Sequence, residues 1–262
     1  MWVLCAVSAV AGPVPEGVLA DMAHADVVIV GEVHDNPGHH VRQAEVVRML
    51  SPFAVVWEML TPEAATGIAG MDVSQADALE KALDWGASGW PSFEMYSPVF
   101  AAGSGARHFG GQVPRKAAFS VARDGLEASF GAGAAAYGLT TGLPMASQAA
   151  READQQDAHC GAMPVDKLPL LVDIQRLRDA VLARQVVAAL DQVGGPVVVI
   201  TGNGHARRDR GIVIYLARVR PELRVFVLGQ SEAGQITGSY DAVLDSPAVD
   251  RPDPCLAFQK AD

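Results

Sequence analysis

A run of four β-branched apolar residues passes directly into glycine, acidic and histidine residues in the segment 26–40. Residues 27–30 read Val-Val-Ile-Val with no polar alternation, which predicts a strand buried on both faces, as in a parallel sheet. Gly31 ends the strand, so Glu32 and His34 emerge at its carboxyl end. Because open α/β sheets bind ligands at that edge, the segment predicts a functional site there.

A helix is predicted to follow this strand directly. Asn36 can cap it, with Pro37 at its first position. His39, His40 and Gln43 then lie on its first turns, close to the same edge of the sheet.

Three further apolar runs predict strands. Residues 53–57 end in Glu58, residues 197–200 lead to His205, and residues 224–228 form a fourth strand. A single helix separates the first two strands, which predicts a parallel crossover with Glu32 and Glu58 side by side on adjacent strands.

The predicted fold class is α/β, a mostly parallel sheet flanked by helices. Residues 71–165 predict a helical lid inserted between the second and third core strands, and residues 173–192 a long helix returning to the core. Half of the 262 residues are hydrophobic, enough for a sizeable core. We therefore predict one α/β domain over residues 18–262, with its core at about 18–70 and 166–262.

The chain carries a net charge of −10, which argues against a nucleic-acid partner or an anionic membrane surface. Arg207, Arg208 and Arg210 follow His205 directly. Arginines beside a candidate site are suited to anchoring carboxylates or other anions. A solvated helix start is an equally good interpretation of these three residues.

Residues 1–11 are apolar, too short to span a bilayer, and end in the small-x-small pattern Ala9-Val10-Ala11. With no basic segment before them, they are interpreted as a truncated signal peptide whose start codon has been assigned too late. The mature chain would then be secreted. Its remaining cysteines, Cys160 and Cys255, would form a disulfide or remain two buried thiols.

Glu32, His34, Glu58 and His205 all follow predicted strands. Two carboxylates and two imidazoles at one edge are suited to a divalent metal. They are equally suited to acid–base chemistry, with one carboxyl kept protonated by its neighbour. Ordinary polar residues that finish strands are the alternative.

Several segments together resemble the ChaN family of haem-binding uptake proteins over residues 26–258. They are Gly31-Glu32-Val33-His34-Asp35-Asn36 with His39, His40 and Gln43, then Ala54–Met59, His159-Cys160-Gly161, Gln175–Asp179, Thr201–Arg207 and Asp253-Pro254-Cys255. The resemblance implies an α/β sheet with a helical lid and a role in binding haem or iron at the bacterial cell envelope. It also implies a wider superfamily with the Tiki proteases and erythromycin esterases, in which Glu32, His34, Glu58 and His205 match a catalytic or metal site.

Haem binding in this family uses a tyrosine. Tyr96, in an aromatic part of the lid, is the first candidate and Tyr137 the second. The leading hypothesis is a secreted protein that holds haem between lid surfaces across a homodimer and delivers it to an envelope receptor or transporter. The arginines at 207, 208 and 210 would anchor the haem carboxylates. The alternative is a metal-dependent hydrolase that uses the four strand-end residues.

Overall fold

A computed structural model describes residues 12–253 and 255–256 of the chain. The predicted signal peptide, residues 1–11, lies outside the described residues. Among the helices that are described, none combines the length and the apolar character needed to cross a bilayer.

The described residues form six strands and twelve α-helices. The strands are β1 (Val27–Val30), β2 (Ala54–Trp57), β3 (Arg107–Gly110), β4 (Val197–Ile200), β5 (Val225–Glu232) and β6 (Ala242–Ser246). The helices are α1 (Glu16–Ala23), α2 (Pro37–Leu50), α3 (Pro62–Gly67), α4 (Ala76–Ala82), α5 (Trp85–Ser88), α6 (Phe93–Ala102), α7 (Arg115–Ala118), α8 (Val121–Phe130), α9 (Met145–Ala158), α10 (Leu168–Val193), α11 (Asn203–Ala206) and α12 (Ile212–Val219).

All strand pairs in the sheet are parallel, in the order β3-β2-β4-β1-β5-β6. This confirms the α/β fold class. The register places Val30 beside Ile200 and Ile200 beside Trp57, so β1, β4 and β2 end at the same level. The residues that follow these three strands therefore meet at one edge.

Both faces of the sheet are covered, which explains the uninterrupted apolar runs. Val27 and Ile29 face a cluster built with α10 and α12, whereas Val28 and Val30 face a second cluster built with α2 and α6. In the second cluster the Trp57 ring stacks on Phe100 with centroids 3.9 Å apart. The four predicted strands and the long returning helix are confirmed.

The inserted segment 71–165 differs from a simple lid. It contributes β3 to the sheet edge, helices α4–α6 to the face that carries α2, and helices α7–α9 to the side of α10. Its aromatic residues Trp85, Phe93 and Phe100 are buried in the core because they cover one face of the sheet. At the opposite edge, β6 completes the sheet beside β5.

The predicted cap of α2 is confirmed, because the Asn36 side chain accepts a hydrogen bond from Gly38 N at 2.9 Å and Pro37 begins the helix. The first turns of α2 then hold the loop that follows β1. His39 Nδ1 accepts from Val33 N at 2.9 Å, and His40 Nε2 bonds the carbonyl oxygen of His34 at 2.9 Å. The helix thus fixes the position of His34.

Cys160 and Cys255 form a disulfide, with their Cα atoms 5.6 Å apart. The bond joins the end of α9 to the chain after β6 and decides between the two alternatives left open by the sequence.

Candidate functional site

Five ionisable side chains meet at the carboxyl edge of the sheet, and we call them the rim cluster: Glu32, His34, Glu58, Asp179 and His205. Four of these side chains are at most 13% exposed, whereas the side chain of His34 is about a third exposed. The structure therefore brings together the four residues predicted from the strand ends and adds an aspartate from α10.

Glu32 is completely buried and held by several donors. Its Oε1 accepts hydrogen bonds from His34 Nδ1 at 2.6 Å and from the Tyr96 hydroxyl at 2.9 Å. Its Oε2 accepts from Gln43 Nε2 at 2.5 Å and lies 3.5 Å from His40 Nδ1. The negative charge of Glu32 is therefore stabilised by several groups together.

Glu58 lies between the two histidines of the cluster. Its Oε2 accepts from the Thr201 hydroxyl and from Gly202 N, each at 2.7 Å. Its Oε1 is 3.4 Å from His205 Nε2 and 4.0 Å from His34 Nε2. The lack of a side chain at Gly202 lets this loop pass close to His34, because a Cβ atom there would stand 3.0 Å from His34 Nε2.

Asp179 was not predicted as a site residue. Its Oδ1 accepts a hydrogen bond from His205 Nδ1 at 2.6 Å, and the pair is buried. The position is an isolated acid inside a long helix, so periodicity gives no reason to select it. Its place in the segment 175–179, which carries part of the family resemblance, was the one available signal.

Charge balance explains how this cluster is stable when buried. Burial alone would favour neutral Glu32 and Glu58, but hydrogen bonds and charges from the histidines hold the pKa of both carboxyls below the usual range. Burial would lower the pKa of His205, yet Glu58 and Asp179 raise it to about 10. Burial raises the pKa of Asp179 despite its bond to His205.

The same balance applies to His34. Burial opposes its charged form, but the hydrogen bond to Glu32 and the charge of Glu58 raise its pKa. The cluster at neutral pH is therefore an alternation of carboxylates and imidazolium groups.

The prediction that Glu32 and Glu58 leave adjacent strands is wrong. β4 lies between β1 and β2, so the loop of Thr201 and Gly202 separates the two glutamates. His34 spans the gap instead, with one ring nitrogen toward each carboxylate.

The prediction of a divalent metal held by Glu32, His34, Glu58 and His205 is not supported. Within residues 12–253 and 255–256, no group of three or more histidine, cysteine or acidic side chains is placed to hold a metal ion. The physical reason is that His34, Tyr96 and Gln43 occupy both oxygens of Glu32, while Thr201 and Gly202 occupy one oxygen of Glu58.

The two predicted haem tyrosines have no open face for a ligand. Tyr96 is fully buried, and burial together with Glu32 raises its pKa strongly, so it remains a neutral donor. Tyr137 is 8% exposed and packs on the Phe130 ring in the cluster with α10. The aromatic residues around Tyr96 were predicted to line a ligand site, but both tyrosines pack in the hydrophobic core.

The three predicted anchoring arginines are already paired with carboxylates. Arg207 and Arg210 both contact Asp154, at 3.0 and 2.5 Å, and both contact Asp209. Arg208 turns away to Asp241. As free anchors for a ligand, these residues are therefore poor candidates.

A cavity of about 650 Å³, which we call the rim cavity, opens beside the rim cluster. Trp90, Val113 and Leu182 supply its apolar wall. Arg115 and Arg178 also line it, and neither makes an ion pair with any described residue. Four members of the rim cluster, Glu32, His34, Glu58 and His205, line it as well, and the His34 ring lies beside the Trp90 ring at a centroid distance of 4.9 Å.

The fold and the site define an α/β protein with a ligand cavity at the carboxyl edge of a parallel sheet. A family model described as haem-binding uptake, Tiki superfamily, ChaN matches residues 18–216. The chain belongs to this family of haem-binding uptake proteins, and the resemblance stated from its motifs is confirmed.

A solved structure shows the same fold. A structure titled as cofacial haem binding to ChaN of Campylobacter jejuni is 20% identical, covers 87% of this chain and 90% of its own, and superposes with a TM-score of 0.68. The type III effector HopBA1 is 12% identical over 92% of this chain and 99% of its own, with a TM-score of 0.49. A search of curated proteins found no match.

Proposed function

We propose that this protein binds haem in the rim cavity and serves haem uptake at the bacterial cell envelope. The observation that carries the proposal is the rim cavity itself, an apolar cleft with unpaired arginines and an accessible histidine in a chain of the haem-binding uptake family.

The cavity fits the chemistry of haem. Haem is a large, flat, apolar ligand with two carboxylates, so its site needs apolar walls and a few cationic groups. Trp90, Val113 and Leu182 provide the walls. Arg115 and Arg178 can each offer a forked hydrogen bond to a carboxylate.

His34 is the side chain we propose as the ligand of the haem iron. Glu32 accepts a hydrogen bond from His34 Nδ1, which fixes the ring and leaves Nε2 toward the cavity, 4.0 Å from Glu58. A carboxylate behind an imidazole orients ligating histidines in this way. Bound haem would supply an iron centre that takes the place of the Nε2 proton of the His34 imidazolium, which passes to solvent, and Glu32 would keep the ring oriented.

Haem titration followed by the Soret absorbance tests this proposal. We expect wild type to bind haem, and His34→Ala and Arg178→Gln each to bind about tenfold more weakly or worse, the loss of one good polar contact. His24→Ala, an exposed histidine at the end of α1, is the matched control and should bind like wild type. Wild-type affinity in both cavity variants would reject the assignment of this cavity.

Secretion is part of the proposal and is supported by the disulfide. Disulfides persist mainly in oxidising compartments, and Cys160–Cys255 closes a separation of 95 residues. Protein isolated from its native cells under denaturing, non-reducing conditions should show no thiol from these two residues. Two reactive thiols would contradict a periplasmic or cell-envelope location.

A homodimer and an envelope receptor or transporter complete the proposal. Light scattering before and after addition of haem tests the first, with a doubled mass as the expected result. Pull-down from envelope fractions with haem-loaded protein tests the second, and equal recovery with haem-free protein would contradict haem delivery to that partner.

A further inference from the structure

A second cavity of about 540 Å³ lies between α9, α10 and the residues after β5, and we call it the helix cavity. It shares Gln175, Asn203, Gly204 and His205 with the rim cavity. The two cavities therefore adjoin across the His205 end of the rim cluster.

Arg151 of α9 lines the helix cavity and is only 7% exposed. Its guanidinium makes one long hydrogen bond, from Nε to the Ser147 hydroxyl at 3.4 Å. Among the described residues no carboxylate lies within 4.0 Å of it. Burial accordingly lowers its pKa, and Asp179 acts on it only at longer range.

The other two arginines of this cavity show that the lack of a partner is specific to Arg151. Arg207 and Arg210 share Asp154 and Asp209 as partners. A guanidinium has five donors, and a buried one normally satisfies them with a carboxylate, a phosphate or backbone carbonyls. The unfilled donors of Arg151 border on empty space large enough for a ligand.

A second buried polar group also lacks a partner at this place. The side-chain oxygen of Gln175 is buried without a hydrogen bond, and Gln175 lines both cavities. The amide nitrogen of the same side chain makes no hydrogen bond to any described residue and can donate one to a ligand in the cavity. Val172 and Ile236 supply apolar surface beside it.

We propose that the helix cavity is a binding site for a carboxylate group, held by the fork of the Arg151 guanidinium with Gln175 as a second contact. A planar carboxylate matches the guanidinium fork in two parallel hydrogen bonds. Asp154 and Asp157 also line this cavity and disfavour a phosphate, which concentrates its negative charge on one group, relative to a carboxylate group with a single charge. The carboxylate is either a haem propionate that reaches across from the rim cavity or part of a small free acid.

The free-acid source is tested without haem, by calorimetric titration of the full chain with succinate and, for comparison, inorganic phosphate. We expect succinate to bind wild type and to bind Arg151→Gln and Arg151→Lys about tenfold more weakly or worse, because lysine keeps the charge but not the fork. Arg184→Gln is the matched control, because Arg184 on α10 packs over Phe130 and lines neither cavity. It should bind succinate like wild type. Should Arg151→Gln not fold by circular dichroism, Arg151→Lys decides.

The propionate source is tested by comparing haem with its dimethyl ester, in which both carboxylates are blocked. This arm rests on the proposed haem-binding function. If the propionate is the occupant, esterification weakens binding to wild type about tenfold more than it weakens binding to Arg151→Lys. If a free acid is the occupant, esterification acts equally on both proteins, and succinate binding still depends on Arg151.

The proposal is overturned if succinate binds the Arg151 variants as tightly as wild type, or if wild type shows neither succinate binding nor an Arg151-dependent effect of esterification. Because the succinate arm needs no haem, a protein that fails to bind haem but binds succinate through Arg151 would reject the proposed function and support the carboxylate site.

Discussion

The two histidines of the rim cluster occupy opposite ends of one ionic network and are held differently. His205 is clamped, with Asp179 at 2.6 Å from one ring nitrogen and Glu58 at 3.4 Å from the other. His34 has one close carboxylate, Glu32 at 2.6 Å, and its second nitrogen faces the rim cavity.

The carboxylates at the two ends differ in the same sense. Glu32 has His34, Tyr96, Gln43 and His40 around it. The only hydrogen-bond partner of the Asp179 side chain among the described residues is His205. Redundant contacts at one end leave a histidine free to serve a ligand, whereas at the other end the histidine is committed to stability.

The largest effect is expected from His205→Ala. This change leaves Asp179 without a hydrogen-bond partner and removes the nearest positive charge from Glu58. Breaking a buried ion pair by deleting one partner costs about 3–5 kcal/mol. Urea denaturation should show this loss in the free energy of unfolding, and His24→Ala should show none. A loss below about 1 kcal/mol would mean that His205 is not a committed counter-charge.

The pH dependence of stability should show the same difference. Because the pKa of His205 is raised from its ordinary 6.5 to about 10, its contribution is complete below pH 6.5 and is lost as the pH rises toward 10. Wild type should therefore lose roughly 2–4 kcal/mol between pH 7 and 10, at about 1.4 kcal/mol per pKa unit. Denaturation across this range should find the slope reduced in His205→Ala and largely kept in His34→Ala. Equal slopes in wild type and His205→Ala would contradict the assignment.

Acid should act in the opposite direction through Glu58, whose lowered pKa contributes stability above its ordinary value of 4.5 that is lost as the pH falls. The stability of wild type should consequently be highest between about pH 4.5 and 6.5.

Sequence patterns predicted the strands that carry a strong apolar signal and missed the two edge strands. β1, β2 and β4 are apolar on both faces because helices cover both. β3 reads Arg-His-Phe-Gly and lies at the sheet edge, where one side needs no pairing and the sequence is correspondingly polar. β6 lies at the other edge, where Val243 and Asp245 are exposed and the apolar run is only three residues long.

Sequence patterns predicted the site residues that directly follow a strand. They missed Asp179, whose place in the site depends on helix packing. Glu32, Glu58 and His205 meet because parallel strands finish at one level. Asp179 reaches His205 only through the way α10 packs on the sheet, which no local pattern encodes. The same limit applies to Tyr96, since its position in the sequence does not show that its hydroxyl points inward at Glu32.

A smaller effect is expected from Tyr96→Phe. The ring stays in place and no cavity forms, but Glu32 loses one of its donors while His34 still contacts the same oxygen. A hydrogen bond to a buried charged group contributes about 1.5–3 kcal/mol, and the remaining partners place this case at the low end. Denaturation should show a loss of about 1.5 kcal/mol with haem binding unchanged. A folded variant that no longer binds haem would return Tyr96 to the role of iron ligand.

The smallest effect on stability is expected from His34→Ala, in the residue whose loss should affect haem most. Its side chain is about a third exposed, so water can replace the imidazole beside Glu32, which keeps Tyr96 and Gln43. Partly exposed ion pairs contribute only about 0.2–1 kcal/mol. The free energy of unfolding should therefore fall by less than about 1 kcal/mol, while haem affinity falls about tenfold or more. His205→Ala should show the reverse, a large loss in the free energy of unfolding and a small loss in haem affinity. Haem affinity is compared without denaturant, at a temperature at which both variants are folded. If His34→Ala is instead as destabilising as His205→Ala, the two ends of the cluster are equivalent, and the open nitrogen of His34 has no separate role.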